Sequence, residues 1–530
     1  MRASFRYLIT GLMTIAIVAV AQFAFVCTSQ RAQSPNAYPL DILILHGKLV
    51  DGSGKSPRTT DIGIKGDRIV FVGNAARSNQ RAVSTIDATG LIVAPGFIDP
   101  HTHTLGDLTS DQTKSNEAYL MQGVTTVVTG NDGGSVLNVG ETLRKWDEQG
   151  IGTNAILLAG FGTIRSRVIG QTDAQPTAAQ LEEMKRLVTQ EMDEGAFGLS
   201  TGLYYAPQSY SKTEEVIELS KVAAAKGGIY DTHMRSEAAG LLDAIVETIR
   251  IGREAKIPVH ISHIKALGPE VWHRSDQAIK LMKQARSQGI EASACQYPYT
   301  ASGTSLQAAL VPRWAEVGGR RELLKRIDDA EIRPRLIREM EENLKGRGGA
   351  DSLLIADSPN REFVGKRLDA IAKQMNKSPV EAALELIKLG SSGVISFNMN
   401  ESDVRRFMKE KFVTTCSDGS TGHPRKYGTF PRKLREYVYH QKLISLPFAV
   451  RNSSALTAET FRIPERGSIR EGYFADVIVF DPNTVSDRAT YEQPELLAAG
   501  MKYVIVNGKV AVANEKSTGV LAGRALRKTR

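Results

Sequence analysis

The chain has 530 residues, 42% of them hydrophobic and 24% charged, values that exclude a disordered or fibrous polypeptide and allow a sizeable core. Its formal charge of +9 is carried by Lys and Arg that interleave with acids along the whole sequence, and no known nucleic-acid module is present. We therefore expect no nucleic-acid partner, and the basic balance suits a small anionic substrate equally well.

At the N-terminus, Arg2 and Arg6 precede the apolar run Tyr7 to Val26, and a polar stretch follows. This pattern reads as an export signal over residues 1–36, with Ala19-Val20-Ala21 as a small-residue cleavage candidate. The run is also long enough to cross a bilayer, so an uncleaved anchor is the alternative. The expected location is outside the cytoplasm, in the periplasm, either free or held at the membrane. Cys27 follows Val26, which is bulkier than lipoprotein signals usually allow, and with Cys295 and Cys416 it makes no disulfide framework and no CxxC zinc site.

From Asp41 the texture is of short alternating strands broken by glycines, as in "DILILHGKLVDGSG" and "DIGIKGDRIVFVG". The same texture returns in "GYFADVIVFD" and "MKYVIVNGKVAV". Two β-rich ends around a different middle predict one small β-sandwich built from residues 37–96 and 452–530.

The middle, 97–451, alternates apolar strands with helical patterns. The strand candidates are "GFIDPHTH", "TTVVTG", "NAILLAG", "FGLST", "GGIYDTH", "IPVHISH", "EASACQYPY" and "FVTTCSDG", with helices expected over 177–195 and 236–256 among others. Eight strands alternating with helices predict a (β/α)8 barrel of the TIM type. "GVISF", 393–397, is a ninth strand candidate that leaves the register of the last strands open. The polar, charged stretch 300–362 is too long for an ordinary connection and is expected to be an insertion beside the active site.

His101 and His103 stand two apart after the first apolar run, and a strand continuing through them would point both imidazoles to one face. Asp132 follows the second strand in "VVTGNDGG", His233 ends the fifth, His263 ends the sixth, and Asp418 follows the last in "TTCSDG". Each alone is a residue at a strand end. Together they occupy the C-terminal ends of barrel strands, where barrel enzymes place their chemistry. The four histidines and two carboxylates predict a cage for one or two divalent ions, zinc first, with other divalent metals open. Zinc activates water and polarises a carbonyl, and a carboxylate beside that water can carry its proton to a leaving nitrogen. Asp418 suits that role, because the eighth strand closes the barrel next to the first.

The ordered set "PGFIDPHTH", "GVTTVVTGN", "GAFGLSTGLYYAP", "THMRSE", "ISHIK", "YPYTASGTSL", "SDG", "HPRKYGTFPR" and "ERGSIREGYFADVIVFDP" resembles the N-acyl-D-amino-acid deacylases, the D-aminoacylases of the amidohydrolase superfamily. The resemblance runs from Asp41 to Arg527. It implies a metal-dependent barrel that cleaves N-acyl-D-amino acids to a carboxylate and a free D-amino acid. It also implies that His101 and His103 hold the weaker metal position, that His233 and His263 hold the tighter one, and that Asp418 is general base and acid.

Three positions depart from the family. Asp132 in "GNDG" stands where the family has a cysteine ligand, Phe161 where it often has histidine, and Cys295 where it often has aspartate. For the substrate's free carboxylate the candidates are Lys265, Tyr297 and Arg425, since cationic and hydroxyl donors recognise such a group. The competing functions are a dipeptidase acting on L-Xaa-D-Xaa, a cyclic-amide hydrolase, and a non-catalytic exported binding protein. The cyclic-amide reading is disfavoured because no lysine lies near "AFGLST" to bridge two metals.

Overall fold

The computed structural model describes residues 40–528. The leader and its cleavage or anchoring lie outside the described residues, as does Cys27. Among the described residues no helix is long and apolar enough to cross a membrane.

The chain enters through β1 (Leu40–Leu49), β2 (Arg58–Lys65), β3 (Arg68–Gly73), β4 (Ala82–Asp87) and β5 (Ile92–Pro95). It returns to the same sheet at its end through β18 (Val477–Phe480), β19 (Met501–Val506), β20 (Lys509–Ala513) and β21 (Lys516–Ser517). The join is the antiparallel pairing of β5 with β18, from Ile92↔Phe480 to Pro95↔Val477, giving one nine-stranded sheet from the two termini. The C-terminal contribution begins later than residue 452. Helices Leu446–Ser453 and Ala455–Phe461 come first, and Phe461 and Ile463 pack with the barrel residues Ile98, Val128, Ile156, Phe197 and Ile229. These apolar side chains belong to the barrel's core, which is why the β texture resumes only at Val477.

The barrel strands are β6 (Phe97–Asp99), β7 (Val124–Thr129), β8 with β9 (Asn154–Leu157 and Ala159–Gly160, one strand interrupted at Leu158), β10 (Gly198–Gly202), β11 (Ile229–His233), β12 (Val259–Ile261), β13 (Ala292–Gln296) and β17 (Val413–Thr415). Parallel pairing runs through them in chain order. Closure comes from the parallel bridge Thr102↔Gly419 and from the Asp418 N–H, which donates to His101 O at 2.9 Å. The barrel therefore shuts at the residues singled out for chemistry.

Helices cover the outside. In Ala178–Asp193 the buried Met184, Leu187, Val188 and Met192 recur at helical spacing, and Thr177 with Gln180 forms a capping box. Burying each such side chain contributes roughly 1.5–3 kcal/mol before entropy is subtracted. The expected helix over 236–256 starts only at Leu241, so Met234 to Gly240 is a loop at the mouth of the barrel.

The long connection after β13 is a compact unit rather than a polar loop, and it extends past residue 362. β14 (Ser302–Ser305), β15 (Leu353–Asp357) and β16 (Gly393–Ser396) form a small antiparallel sheet. Helices around it enclose a core of their own, with Leu306, Leu336, Met340, Leu368 and Leu386 among its members. "GVISF" is thus the centre of this sheet, paired antiparallel with β14 and β15, and is not a barrel strand. Its apolar run satisfies either setting, and period alone does not separate them.

Candidate metal centre

β6 ends at Asp99, so His101 and His103 lie beyond the strand and not within it as the period-two argument assumed. They still converge, because the Asp99 carboxylate accepts the N–H of His101 (3.2 Å) and of Ser417 (3.1 Å), tying the ends of the first and last strands together. Burial raises this carboxyl to about 7. The facing nitrogen of each histidine meets an aspartate. His101 Nε2 lies 3.5 Å from Asp132 Oδ1 and 3.7 Å from Asp418 Oδ1, and His103 Nε2 lies 3.8 Å from Asp132 Oδ2 and 3.1 Å from Asp418 Oδ1. Across the site, His233 Nδ1 and His263 Nε2 stand 3.9 and 3.7 Å from Asp132 Oδ1 and 3.1 Å from one another. All six residues expected to form the cage come together in three overlapping groups, two sharing Asp132 and the third joining His101, His263 and Asp418.

Three of these residues sit in left-handed backbone: Asp132 (φ 56°), His263 (φ 34°) and Asp418 (φ 49°). Such conformations cost about 1–3 kcal/mol for a residue with a side chain and cluster at functional sites. The Asp132 turn is clamped from below. Gln208 Nε2 donates to Asp132 O at 2.8 Å, while its Oε1 accepts the Gly202 N–H at 2.7 Å. Gly133 must lack a Cβ because one would overlap that Gln208 amide. Gln208 went unnoticed in the sequence, since a polar residue in a loop carries no periodic signal.

The electrostatics favour a cation. Burial lowers His101 and His233 to about 4, so both rings are neutral donors near pH 7. Against burial, the neighbouring histidines hold Asp132, and Arg425 with the histidines holds Asp418, well below the usual carboxylate range. Burial and the Lys265 ammonium oppose charge on His263, but the Asp418 and Glu237 carboxylates and Asp132 outweigh them and raise it to about 10. Both ring nitrogens of His101 and Oδ1 of Asp132 are buried and make no hydrogen bond. Buried polar atoms are rarely left so, and here His101 Nε2 and Asp132 Oδ1 face one another at 3.5 Å, a gap of metal-ligand size. The residues fit a metal.

These groups face a cavity of about 880 Å³ walled on the far side by the inserted unit. Lys265 and Arg425 reach its wall, both buried and both already paired. Lys265 Nζ lies 2.7 Å from Glu237 Oε1, and Arg425 Nη1 lies 2.8 Å from Asp418 Oδ2. Tyr297, expected to reach the substrate carboxylate directly, is turned away. Its hydroxyl lies 3.5 Å from Met399 Sδ, and its ring sits beneath the cations of Arg425 (4.6 Å) and Lys265 (5.6 Å). Tyr204 and Tyr205 flank the His233 ring, and Tyr204 donates to Ala308 O of the inserted unit at 2.7 Å. Cys295, one of the departures, accepts the His263 N–H at 3.1 Å through its sulfur and is fully buried beneath the centre.

A closed parallel barrel with histidines and aspartates gathered at the C-terminal ends of its strands defines a metal-centred barrel hydrolase. The sequence match makes the class specific: residues 84–512 match the Amidohydrolase family, and the chain belongs to it. It is 35% identical to a D-aminoacylase of Alcaligenes xylosoxydans xylosoxydans, over 93% of this chain and 99% of that relative. Among solved structures, a D-aminoacylase described for its binuclear metal centre superposes with a TM-score of 0.80 at 33% identity, over 92% of this chain and 100% of that one. The N-acyl-D-glutamate deacylase of Bordetella bronchiseptica, solved with zinc and a phosphonate mimic of the tetrahedral intermediate, gives 0.80 at 31% identity, over 93% and 100%.

Proposed function

We propose that this protein is a metal-dependent hydrolase of N-acyl-D-amino acids, releasing a carboxylate and a free D-amino acid. One observation carries the reading: donor atoms of four histidines and two aspartates face each other at 3.1–3.9 Å around two positions that share Asp132. Ligands held about 2.0–2.1 Å from a tetrahedral zinc would lie roughly 3.3 Å apart, a spacing that these gaps bracket and that supports the reading. His101, His103 and Asp418 would hold one ion, His233 and His263 the other, with Asp132 between. Bound there, a divalent ion of the zinc class supplies an activated water and polarises the amide carbonyl.

The chain's own groups do the rest. Asp418, ionised at neutral pH, takes the proton of the attacking water and hands it to the leaving nitrogen. Lys265 and Arg425 draw in the substrate's free carboxylate, and Tyr297 supports both cations from below. The relatives' acyl-D-amino-acid chemistry supports this substrate class over the dipeptide and cyclic-amide readings. Hydrolysis of N-acetyl-D-amino acids, their L-enantiomers and L-Xaa-D-Xaa dipeptides, followed by ninhydrin or mass detection, tests it. The N-acetyl-D series should be turned over fastest, and preference for the dipeptides would replace the proposal with the dipeptidase.

Two further readings belong here. The terminal sheet is read as a small β-sandwich, supported by Ile44, Ile62, Ile69, Val477 and Ile505 sharing one enclosed core. The basic, apolar leader supports export to the periplasm, and fractionation of the expressed full chain would distinguish a free protein from an anchored one.

A further inference from the structure

Glu237 lies four residues after His233, in the loop Met234 to Gly240. Its carboxylate is buried and its two oxygens point at two different histidines. Oε1 is 3.0 Å from His263 Nδ1, and Oε2 is 3.8 Å from His233 Nε2. On each ring, the nitrogen facing Glu237 is the one opposite the nitrogen facing Asp132, His263 Nε2 in one case and His233 Nδ1 in the other. A single carboxylate therefore stands behind both histidines of one metal position. The other position has no such backing at His101, whose Nδ1 makes no hydrogen bond at all.

Resting on the metal reading above, we propose that Glu237 is a positioning residue that fixes the ring orientation and donor nitrogen of His233 and His263 together, and so controls occupancy of that position alone. An imidazole that ligates through one nitrogen donates through the other to a carboxylate or carbonyl, which selects the tautomer and raises the ring's basicity as a ligand. Glu237 reaches both rings from the loop after β11, while β12 delivers His263 beside it. Oε1 lies within hydrogen-bond distance of His263 Nδ1, and Oε2 faces His233 Nε2 at 3.8 Å, too far for a direct hydrogen bond but close enough to orient the ring by charge. Simple charge balance explains only part of the arrangement. Lys265 Nζ lies 2.7 Å from both Oε1 and His263 Nδ1 and so shares that corner with the carboxylate, but nothing in that pairing requires Oε2 to face His233. The pairing also joins this position to the carboxylate grip, since Lys265 must share its protons between Glu237 and substrate.

The test is zinc affinity of the full-length protein, measured for each equivalent by competition with a chromophoric chelator, in wild type, Glu237→Gln and Glu237→Asp. Glu237→Gln should weaken one equivalent by roughly tenfold to a hundredfold, the scale of losing an outer-shell partner. The other equivalent should be unchanged. Glu237→Asp should weaken the same equivalent less. Wild-type affinity at both equivalents in Glu237→Gln, or equal loss at both, would overturn the assignment. Should Glu237→Gln fail to fold, Glu237→Asp is read by the same criterion. A wild type that binds no zinc would refute the metal reading itself, which separates the two failures.

Discussion

Replacing Asp132 by asparagine tests the shared ligand with little disturbance elsewhere. Asparagine has nearly the same shape, and with aspartate it is one of the few non-glycine residues that enter left-handed backbone readily, so the φ of 56° is kept without new strain. The Gln208 clamp grips the main-chain carbonyl of Asp132 and survives the change. What disappears is a negative charge within 3.5–3.9 Å of four histidine nitrogens. Loss of a partner one bond further from a metal already costs roughly tenfold to a hundredfold in affinity. Loss of the ligand common to both positions should therefore exceed about a hundredfold at each, on the same scale. Zinc content after dialysis, by elemental analysis, should fall together with turnover of an N-acyl-D-amino acid. Asp132→Cys returns an anionic, softer ligand and should keep zinc and part of the activity. Full zinc and near-normal turnover in Asp132→Asn would mean that Asp132 only shapes its turn, and that the two positions lack a bridge.

Asp418→Asn should retain zinc at the position of His233 and His263, weaken it at the position shared with His101 and His103, and lower turnover by roughly a hundredfold to ten-thousandfold, the range for losing a proton carrier; a loss under tenfold would place that carrier elsewhere. Zinc binding should release protons at pH 6. His263, raised to about 10, and His103, held above its ordinary value against burial by the Asp418 and Asp132 carboxylates, must each give up a proton to ligate, whereas His101 and His233, at about 4, have none to give. Affinity should accordingly rise about tenfold per pH unit in this range, and calorimetry in buffers of different ionisation enthalpy that finds no proton released would contradict the assignment. Gly133→Ala should destabilise the fold by about 1–3 kcal/mol and reduce zinc binding, because a Cβ overlaps the Gln208 amide that holds Asp132; unchanged denaturant midpoints and zinc content would show that the clamp is dispensable.

The barrel and the cage were legible because strand-end chemistry leaves a periodic trace: short apolar runs, each followed by His or Asp. That trace located His101, His103, Asp132, His233, His263 and Asp418. It misplaced the strand through His101, since Pro100 and the Asp99 carboxylate end β6 early and bring the histidines inward by hydrogen bonds invisible to periodicity. The inserted unit looked like a polar loop because its exposed helices are rich in charge and its core is assembled across nearly a hundred residues of sequence. Glu237 was hidden for a related reason. Its segment has helical composition, but the helix begins only at Leu241, and the loop it leaves is what lets a carboxylate turn back towards two histidines. Tyr297 is the opposite case, a residue of the right chemistry whose hydroxyl direction, here 3.5 Å from Met399 Sδ, no sequence pattern encodes.

The central claim is that the histidine–aspartate cage performs hydrolysis through a metal. The most direct measurement is turnover of an N-acetyl-D-amino acid by protein stripped with a chelator, confirmed metal-free by elemental analysis, and then titrated with zinc. The account predicts no turnover when metal-free and recovery that follows zinc bound to the protein; full turnover by metal-free protein would contradict it.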